Sequence, residues 1–142
     1  MKSRRSKSDF KKKLLIEKCI KAMTEDMLSV KIIVDKGRAV FARRYLKKGD
    51  FVCEYAGELI SYREGIKREE IYEKDIETGC YLYFFQHKSK SYCVDATKEN
   101  GRLGRLMNHS KIDGNCHTKL FVINSKPCLI FVASRDIKPD EE

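Results

Sequence analysis

The first hydrophobic pattern in the chain is helical. Between residues 8 and 27 the apolar side chains recur at helical spacing, and lysines occupy the opposite face. Ser8 precedes the run, and its hydroxyl is suited to accept a hydrogen bond from the first turn, so we predict Ser8 as the N-cap. The pattern therefore predicts one amphipathic helix over residues 8–27. Its apolar face is predicted to consist of Phe10, Leu14, Leu15, Cys19, Met23 and Met27.

Short β-favouring runs dominate the rest of the chain, and turn residues such as Asp35-Lys36-Gly37 separate most of them. Two helical stretches interrupt the strands: residues 61–74, where Ser61 and Glu64 have the spacing of a capping box, and a turn or two at residues 102–107. We predict a mostly β domain of small sheets wrapped around one another, with short helices, preceded by the N-terminal helix. The alternating order of a dinucleotide-binding fold is absent from the pattern. The predicted strands are residues 30–34, 39–42, 51–55, 58–60, 81–85, 92–96, 120–124 and 128–133.

Composition fits one soluble domain. The chain has 142 residues, of which 42% are hydrophobic and 36% charged, enough for a single core. No apolar run approaches the roughly 20 residues that cross a bilayer. The basic N-terminus is not followed by the apolar stretch of a secretory signal. We therefore expect no membrane partner.

The positive charge is concentrated at the N-terminus. The net charge is +9, and residues 1–23 hold nine Lys and Arg against Asp9 and Glu17, so the other 119 residues carry only +2. A basic arm of this kind suits a polyanion such as DNA, through its phosphates, or a nuclear-import receptor. A solvated tail that only keeps the protein soluble is the alternative.

The six cysteines do not have the spacing of a metal site. None forms a Cys-x-x-Cys pair, so the sequence argues against a structural zinc. Cys116-His117 is an adjacent pair without partners, and we interpret it as an ordinary loop. Most of the others lie in apolar runs, where a thiol behaves as a small hydrophobic group. Reduced cysteines without a signal peptide indicate the nucleus or cytosol.

Asn108-His109 is the most informative pair in the chain. An Asn and a His after a short apolar turn can present several donors and acceptors to a small polar ligand. Alone, the pair equally suits a polar loop that caps a short helix. It gains weight from companion motifs elsewhere in the sequence. These are Lys36-Gly37-Arg38, Glu54-Tyr55-Ala56-Gly57 and Gly79-Cys80-Tyr81.

Taken together, the motifs resemble a SET domain, the fold of protein-lysine methyltransferases. The resemblance is closest to the branch that monomethylates lysine-20 of histone H4, and it runs from about residue 14 to residue 142. The matching SET segments are KGRAVFA at 36–42, GDFVCEYAGELI at 49–60, CVDAT at 93–97 and RLMNHS at 105–110. The segments typical of the branch are TGCYLYFFQ at 78–86, YCVDAT at 92–97 and GNCHTKL at 114–120.

The resemblance implies a reaction and a set of site residues. A SET enzyme transfers a methyl group from S-adenosylmethionine (SAM) to a lysine amine by in-line displacement, without a protein nucleophile. The amine must be neutral, and a dry, tyrosine-lined channel favours that form. Tyr55 is the implied catalytic residue, with its hydroxyl on the amine. Lys36, Gly37, Arg38, Tyr81, Asn108 and His109 are the implied cofactor-binding residues, and Glu69 and Cys80 the implied substrate-binding residues.

Each assignment has a structural alternative. Tyr55 and Tyr81 also suit core positions with satisfied hydroxyls. Residues 36–38 also suit a plain hairpin turn in which the glycine supplies a positive φ. Glu69 lies in a charge-rich helix, where carboxylates are commonly just solvated. Arg105 can support the fold beside the cofactor as readily as touch it.

The sequence departs from the family pattern at its end. After Glu142 the family continues with a segment rich in Leu, Tyr and Asp that carries the principal catalytic tyrosine. We therefore expect either a parent protein that continues or a degenerate relative, and residues 1–142 alone to be nearly inactive. The predicted division is a basic arm and helix over 1–29 and a SET domain over 30–142 that lacks its C-terminal part.

The expected function is SAM-dependent methylation of the histone H4 tail on nucleosomes, in the nucleus and on chromosomes, by a monomer. One alternative is a non-catalytic module that binds nucleosomes or histone tails. Another is a basic β-domain that binds nucleic acid, which the small charge outside the arm disfavours.

Overall fold

A computed structural model describes residues 4–33, 37–75, 79–107 and 114–142, with side chains from Phe10 onward. Each predicted strand is present, within a few residues of its predicted limits, so the mostly β prediction is confirmed. The elements are α1 (Arg4–Lys21), β1 (Leu28–Ile33), β2 (Gly37–Ala42), β3 (Phe51–Glu54), β4 (Glu58–Ser61), α2 (Tyr62–Glu73), β5 (Leu82–His87), β6 (Lys90–Asp95), a 3-10 turn (Gly104–Leu106), β7 (Cys116–Ile123) and β8 (Lys126–Ala133).

Three small antiparallel sheets make up the domain. β1 pairs with β2, β8 lies between β3 and β7, and β6 lies between β4 and β5. Two of the sheets contain a tight hairpin. The β5–β6 hairpin turns at Lys88 and Ser89 (φ 50° and 62°), and the β7–β8 hairpin turns at Asn124 and Ser125 (φ 50° and 65°). Two successive left-handed residues match the right-handed twist of the strands they connect.

The central strand β8 runs through the main core. Ile130 is completely buried, and Val52 and Cys53 of the neighbouring strand β3 are 1% and 0% exposed. Helix α1 adds Ile16 and Ile20 to the same cluster. The N-terminal helix thus shares its core with the second sheet, and the division of the chain at residue 29 stays a prediction.

The predicted apolar face of α1 is wrong at most of its positions. Phe10 and Leu14 are 63% and 51% exposed, while Ile16 and Ile20 are buried at 6% and 8%. At about 100° per residue, the two isoleucines lie about 120° around the helix from Phe10 and Leu14. The helix therefore carries apolar side chains on more than one side, and the side that packs on β3 is the one kept from water. Leu15 and Met23, also predicted to be buried, are exposed. Cys19 is partly buried against the core as predicted, and Met27 is buried in the segment before β1.

The predicted ends of α1 are also wrong. The helix starts at Arg4, so Ser8 lies inside it and is not its N-cap. It ends at Lys21 because Met23 turns into the left-handed region at φ 54°. The amide of Met23 donates to the carbonyl of Ile20 (3.1 Å), and the amide of Thr24 donates to that of Cys19 (3.0 Å). These two bonds form a Schellman motif, which satisfies carbonyls of the last turn.

The second helix begins where the capping pattern predicts. The Ser61 hydroxyl accepts a hydrogen bond from the Glu64 amide at 3.2 Å, so Ser61 is confirmed as the N-cap of α2. The Glu64 carboxylate accepts from Arg68 one turn later (3.1 Å). At the buried Gly65, an added Cβ would lie 2.7 Å from the Phe84 ring, so the glycine lets α2 approach the third sheet closely.

The predicted short helix at residues 102–107 is the 3-10 turn Gly104–Leu106. Its first residue lies directly against the chain that leaves β3. A Cβ built on Gly104 would be 2.2 Å from the carbonyl oxygen of Glu54 and 2.9 Å from the Cα of Tyr55. Both atoms belong to the backbone and cannot move aside as a side chain would. A glycine at this position therefore sets the distance between the 3-10 turn and Tyr55.

We predict that Gly104→Ala destabilises the domain by about 3 kcal/mol, because the added methyl group overlaps backbone atoms that must shift. Gly101→Ala is the matched control. Gly101 has a positive φ of 76° but open space around its Cβ position, so its substitution should cost only about 1 kcal/mol. Urea unfolding followed by circular dichroism measures both. Equal losses in the two variants would contradict the close-approach explanation.

Candidate functional site

One cavity of about 520 Å³ collects most of the predicted site residues that the structure describes. Its lining comes from β2, the end of β3, β5, the 3-10 turn and β8, so it lies where the three sheets meet. The lining residues are Gly37, Arg38, Tyr55, Cys80, Tyr81, Leu82, Tyr83, Arg105, Leu106, Met107 and Phe131.

The structure thus brings together Gly37, Arg38, Tyr55, Cys80 and Tyr81, which are distant in sequence. Three predicted residues, Lys36, Asn108 and His109, lie outside the described residues.

Glu69 does not line the cavity, but it lies on α2 near Cys80. Partial burial raises the pKa of the Cys80 thiol, and the negative charge of Glu69 is the next contribution in the same direction. The two predicted substrate-binding residues are therefore electrostatic neighbours at one side of the cavity. Their role in binding a substrate stays a prediction.

Tyr55 follows β3 and is half-buried among aromatic rings. Its ring centroid lies 5.9 Å from that of Tyr83 and 6.2 Å from that of Phe131, the latter in an edge-on arrangement. Burial is the main cause that raises the pKa of Tyr55, to about 12. The phenol therefore stays neutral near pH 7 and keeps its proton as a hydrogen-bond donor.

Tyr81 is fixed by its backbone and by its ring. Its amide donates to the Thr97 hydroxyl (3.1 Å), and its carbonyl accepts from the Ala96 amide (2.9 Å). The guanidinium carbon of Arg105 lies 4.0 Å from the centre of the Tyr81 ring. That distance is typical of a cation–π contact. One wall of the cavity is therefore rigid.

Arg105 is a cavity residue whose charge is largely removed from water. The residue is 9% exposed. Its Nε donates to the carbonyl of Ala96 (2.8 Å), and its Nη2 donates to the carbonyl of Thr97 (2.9 Å). A third nitrogen, Nη1, lies 3.4 Å from the carboxylate of Glu99. The sequence left two roles open for Arg105, support of the fold and contact with the cavity, and its position allows both.

Sequence reasoning missed several lining residues, of which Tyr83 and Phe131 are the most important. Tyr83 is two residues beyond Tyr81 on the same side of the chain, a spacing that could have indicated its position. Its hydroxyl hydrogen-bonds to that of Thr118 (2.7 Å). Phe131 is brought in by the pairing of β8 with β3, which local sequence does not reveal.

A second groove, of about 720 Å³, is lined by residues of β4, α2, the end of β6 and the loop after it, and an ion-pair network forms part of its wall. Arg68 bonds to Glu58 (2.8 Å) and to the nearly buried Asp95 (2.9 Å). Burial opposes ionisation of Asp95, but hydrogen bonds from Thr97, Tyr72 and Arg68 outweigh it and lower the carboxyl's pKa. This network fastens α2 to β4 and β6, so we interpret its residues as structural.

The fold agrees with comparisons to known proteins. The SET domain family profile matches residues 37–142, and the chain belongs to this family. N-lysine methyltransferase KMT5A-A of Danio rerio is 53% identical over 142 residues, which cover 99% of this chain and 41% of the relative. Histone-lysine N-methyltransferase Set8 of Drosophila melanogaster is 49% identical over 117 residues, which cover 82% of this chain and 17% of the relative. The chain spans less than half the length of these relatives.

Solved structures show the same fold. The crystal structure of CpSET8 from Cryptosporidium has a TM-score of 0.85 and 40% identity, over 92% of this chain and 62% of that chain. A structure of ctPRC2 in an autoinhibited conformation bound to S-adenosylmethionine has a TM-score of 0.64 and 35% identity, over 82% of this chain and 14% of that chain. The predicted SET fold is thereby confirmed. Among the described residues, no helix is long and apolar enough to cross a membrane.

We predict that Cys80 is alkylated first by iodoacetamide, because it is the exposed one of six free cysteines. The thiolate is the reactive form. Glu69→Gln removes a charge that raises the Cys80 pKa. It should therefore increase the thiolate fraction and the alkylation rate near pH 8 by about twofold.

Glu70→Gln is the matched control on the exposed side of the same helix. Mass spectrometry of timed samples measures the rate at each cysteine. An unchanged Cys80 rate in Glu69→Gln would show that the two side chains do not interact.

Proposed function

We propose that the protein is a SAM-dependent protein-lysine methyltransferase of the histone-modifying kind. The observation that carries the proposal is the cavity itself. In a chain of the SET family, it places a neutral tyrosine hydroxyl, an aromatic wall and two arginine side chains around one space. A binding module for histone tails would not need these groups to converge on one cavity.

The described part of the cavity suits SAM. Its volume lies within the range of about 300–1,000 Å³ that small-ligand sites occupy. Arg38 and Arg105 offer positive charge to a carboxylate, and the ring of Tyr81 offers an apolar surface. We infer that Gly37 and these three residues, with Lys36, Asn108 and His109, hold the cofactor. When bound, the cofactor would supply the methyl group from its sulfonium, and the neutral thioether would be the leaving group.

The aromatic side of the cavity suits the substrate lysine. A lysine amine has a pKa of about 10.4 in water, and burial favours its neutral, nucleophilic form. Tyr55, Tyr83 and Phe131 line this side with aromatic rings, which would exclude water once a lysine side chain enters. Because its raised pKa keeps Tyr55 protonated, the phenol orients the amine by a hydrogen bond and does not remove its proton.

We further propose the histone H4 tail as the substrate, with lysine-20 as the methylated residue and a single methyl as the product. Histone tails are basic, and Glu69 offers a half-buried carboxylate near the cavity. The relative from Drosophila is named as a histone-lysine methyltransferase. Action on nucleosomes in the nucleus, by a monomer, follows from the same proposal.

We predict that Tyr55→Phe lowers kcat for methyl transfer by about tenfold or more, because the hydroxyl orients the reacting amine. The affinity for SAM should be nearly unchanged. Transfer from labelled SAM to nucleosomes by the full-length protein measures the rate, and calorimetry measures cofactor binding. Nucleosomes in which arginine replaces lysine-20 of histone H4 should accept no label.

Tyr92→Phe is the control, since Tyr92 stacks on Phe85 away from the cavity. Equal rates in Tyr55→Phe and Tyr92→Phe would remove Tyr55 from the reaction. Binding of SAM or histone tail with no transfer by the full-length protein would favour the non-catalytic alternative.

We also predict that the basic helix contributes to nucleosome affinity through phosphate contacts. Lys11, Lys12 and Lys13 are exposed on α1. Their joint replacement by Ala should weaken nucleosome binding and reduce the log–log salt slope by at most about three. Transfer to a free H4 peptide should change little.

Replacing Lys90, Lys119 and Lys126 by Ala removes the same charge from exposed positions on the strands and serves as the control. Binding titrations at several salt concentrations compare the two triple variants. Equal slopes in both would show that net charge, and not the helix, governs the affinity.

A further inference from the structure

Two arginines of the cavity share one carboxylate. Arg38, on β2, makes a two-pronged contact with Glu99, in which Nη2 lies 3.1 Å from Oε2 and Nη1 bonds to Oε1. Arg105, on the 3-10 turn, places its Nη1 3.4 Å from the same Oε2. Glu99 thus joins two elements that are far apart in sequence and line the same cavity.

Glu99 itself is not a lining residue of that cavity. Its side chain is 55% exposed and borders the neighbouring groove. Its contacts with that cavity are therefore indirect, through its pairs with Arg38 and Arg105.

The bridge has two physical consequences. First, two like charges that converge on one cavity repel each other, and a carboxylate between them removes that repulsion. The three groups together carry one net positive charge, enough to meet the single carboxylate of SAM while limiting repulsion of its ammonium and sulfonium groups. Second, the pairing limits the rotamers of Arg38, whose side chain is otherwise 43% exposed. The arginine is then held in place before a ligand arrives.

We propose that Glu99 is a positioning residue for the cofactor: by bridging Arg38 and Arg105 it sets the affinity for SAM, and not the rate of methyl transfer. The inference rests on the proposed function, because it names SAM as the ligand of the cavity. Glu99 touches neither the aromatic side of the cavity nor Tyr55. Substitution of Glu99 should therefore weaken ligand binding and leave the aromatic side of the cavity, where the substrate lysine is proposed to bind, unchanged.

The test compares Glu99→Gln with Glu58→Gln. Glu58 is also an exposed carboxylate that pairs with one arginine through two contacts, to Arg68 at 2.8 and 3.3 Å. It contacts no residue of the cavity described above. Both variants remove one negative charge while they keep the shape of the side chain, and thermal unfolding of both verifies that the fold is retained.

In the full-length protein, Glu99→Gln should weaken SAM binding about three- to tenfold, the effect of one charge-assisted pair at a partly exposed position. The KM for SAM should rise in parallel, and kcat at saturating SAM should stay within about twofold. Glu58→Gln should leave the dissociation constant of SAM unchanged. Glu99→Asp, which keeps the charge but shortens the reach, should fall between wild type and Glu99→Gln.

A double-mutant cycle shows whether Glu99 acts through Arg38. Once Arg38→Gln has removed one partner, Glu99→Gln should have a smaller effect than in the wild-type protein. Unchanged SAM affinity in Glu99→Gln, equal losses in Glu99→Gln and Glu58→Gln, or full additivity with Arg38→Gln would each overturn the inference. Absence of SAM binding by the wild-type protein would instead overturn the proposed function.

Discussion

The buried guanidinium of Arg105 is the interaction on which the site depends. A charge taken out of water is costly unless its donors are paired. Arg105 meets this requirement with the carbonyls of Ala96 and Thr97, the carboxylate of Glu99 and the ring of Tyr81. These partners come from the loop that follows β6 and from the residue just before β5. Because the guanidinium needs all these partners at once, they must keep fixed positions around it, and this defines the shape of the cavity.

Local sequence was sufficient to predict most of the fold. Apolar and polar residues alternate along some strands, and others are continuously apolar between turn residues. Ser61 and Glu64 have the recognisable spacing of a helix cap. The prediction of the buried face of α1 failed for a physical reason. The helix has apolar side chains on more than one side, and only the packing of Ile16 and Ile20 on β3 decides which side is buried. Its early end depends on a left-handed methionine, a residue type that does not predict such a turn.

The candidate site was predictable only in part. Tyr55, Tyr81 and Cys80 were found from family motifs, and the structure places them around one cavity. Glu99 and Phe131 were not. Phe131 reaches the cavity through the pairing of β8 with β3, and Glu99 acts through side-chain pairs with Arg38 and Arg105. The pair Arg38–Glu99 spans 61 positions, and nothing in the residues around Glu99 distinguishes it from other surface carboxylates. Only its long-range pairing, and not its residue type, distinguishes Glu99 from the other carboxylates of the surface.

The two tight hairpins have a consequence for how the chain folds. Each closes over two residues, so β5–β6 and β7–β8 can form with a small loss of chain entropy. The pairing of β3 with β8 instead joins Phe51 to Val132 and must close a loop of about 80 residues. Hairpins should therefore form early and the second sheet late. Because the cavity includes both Tyr55 and Phe131, it exists only after that late pairing. The main core contains residues of both strands, so in a newly made chain the cavity and the closed core should form together, in the last step of folding.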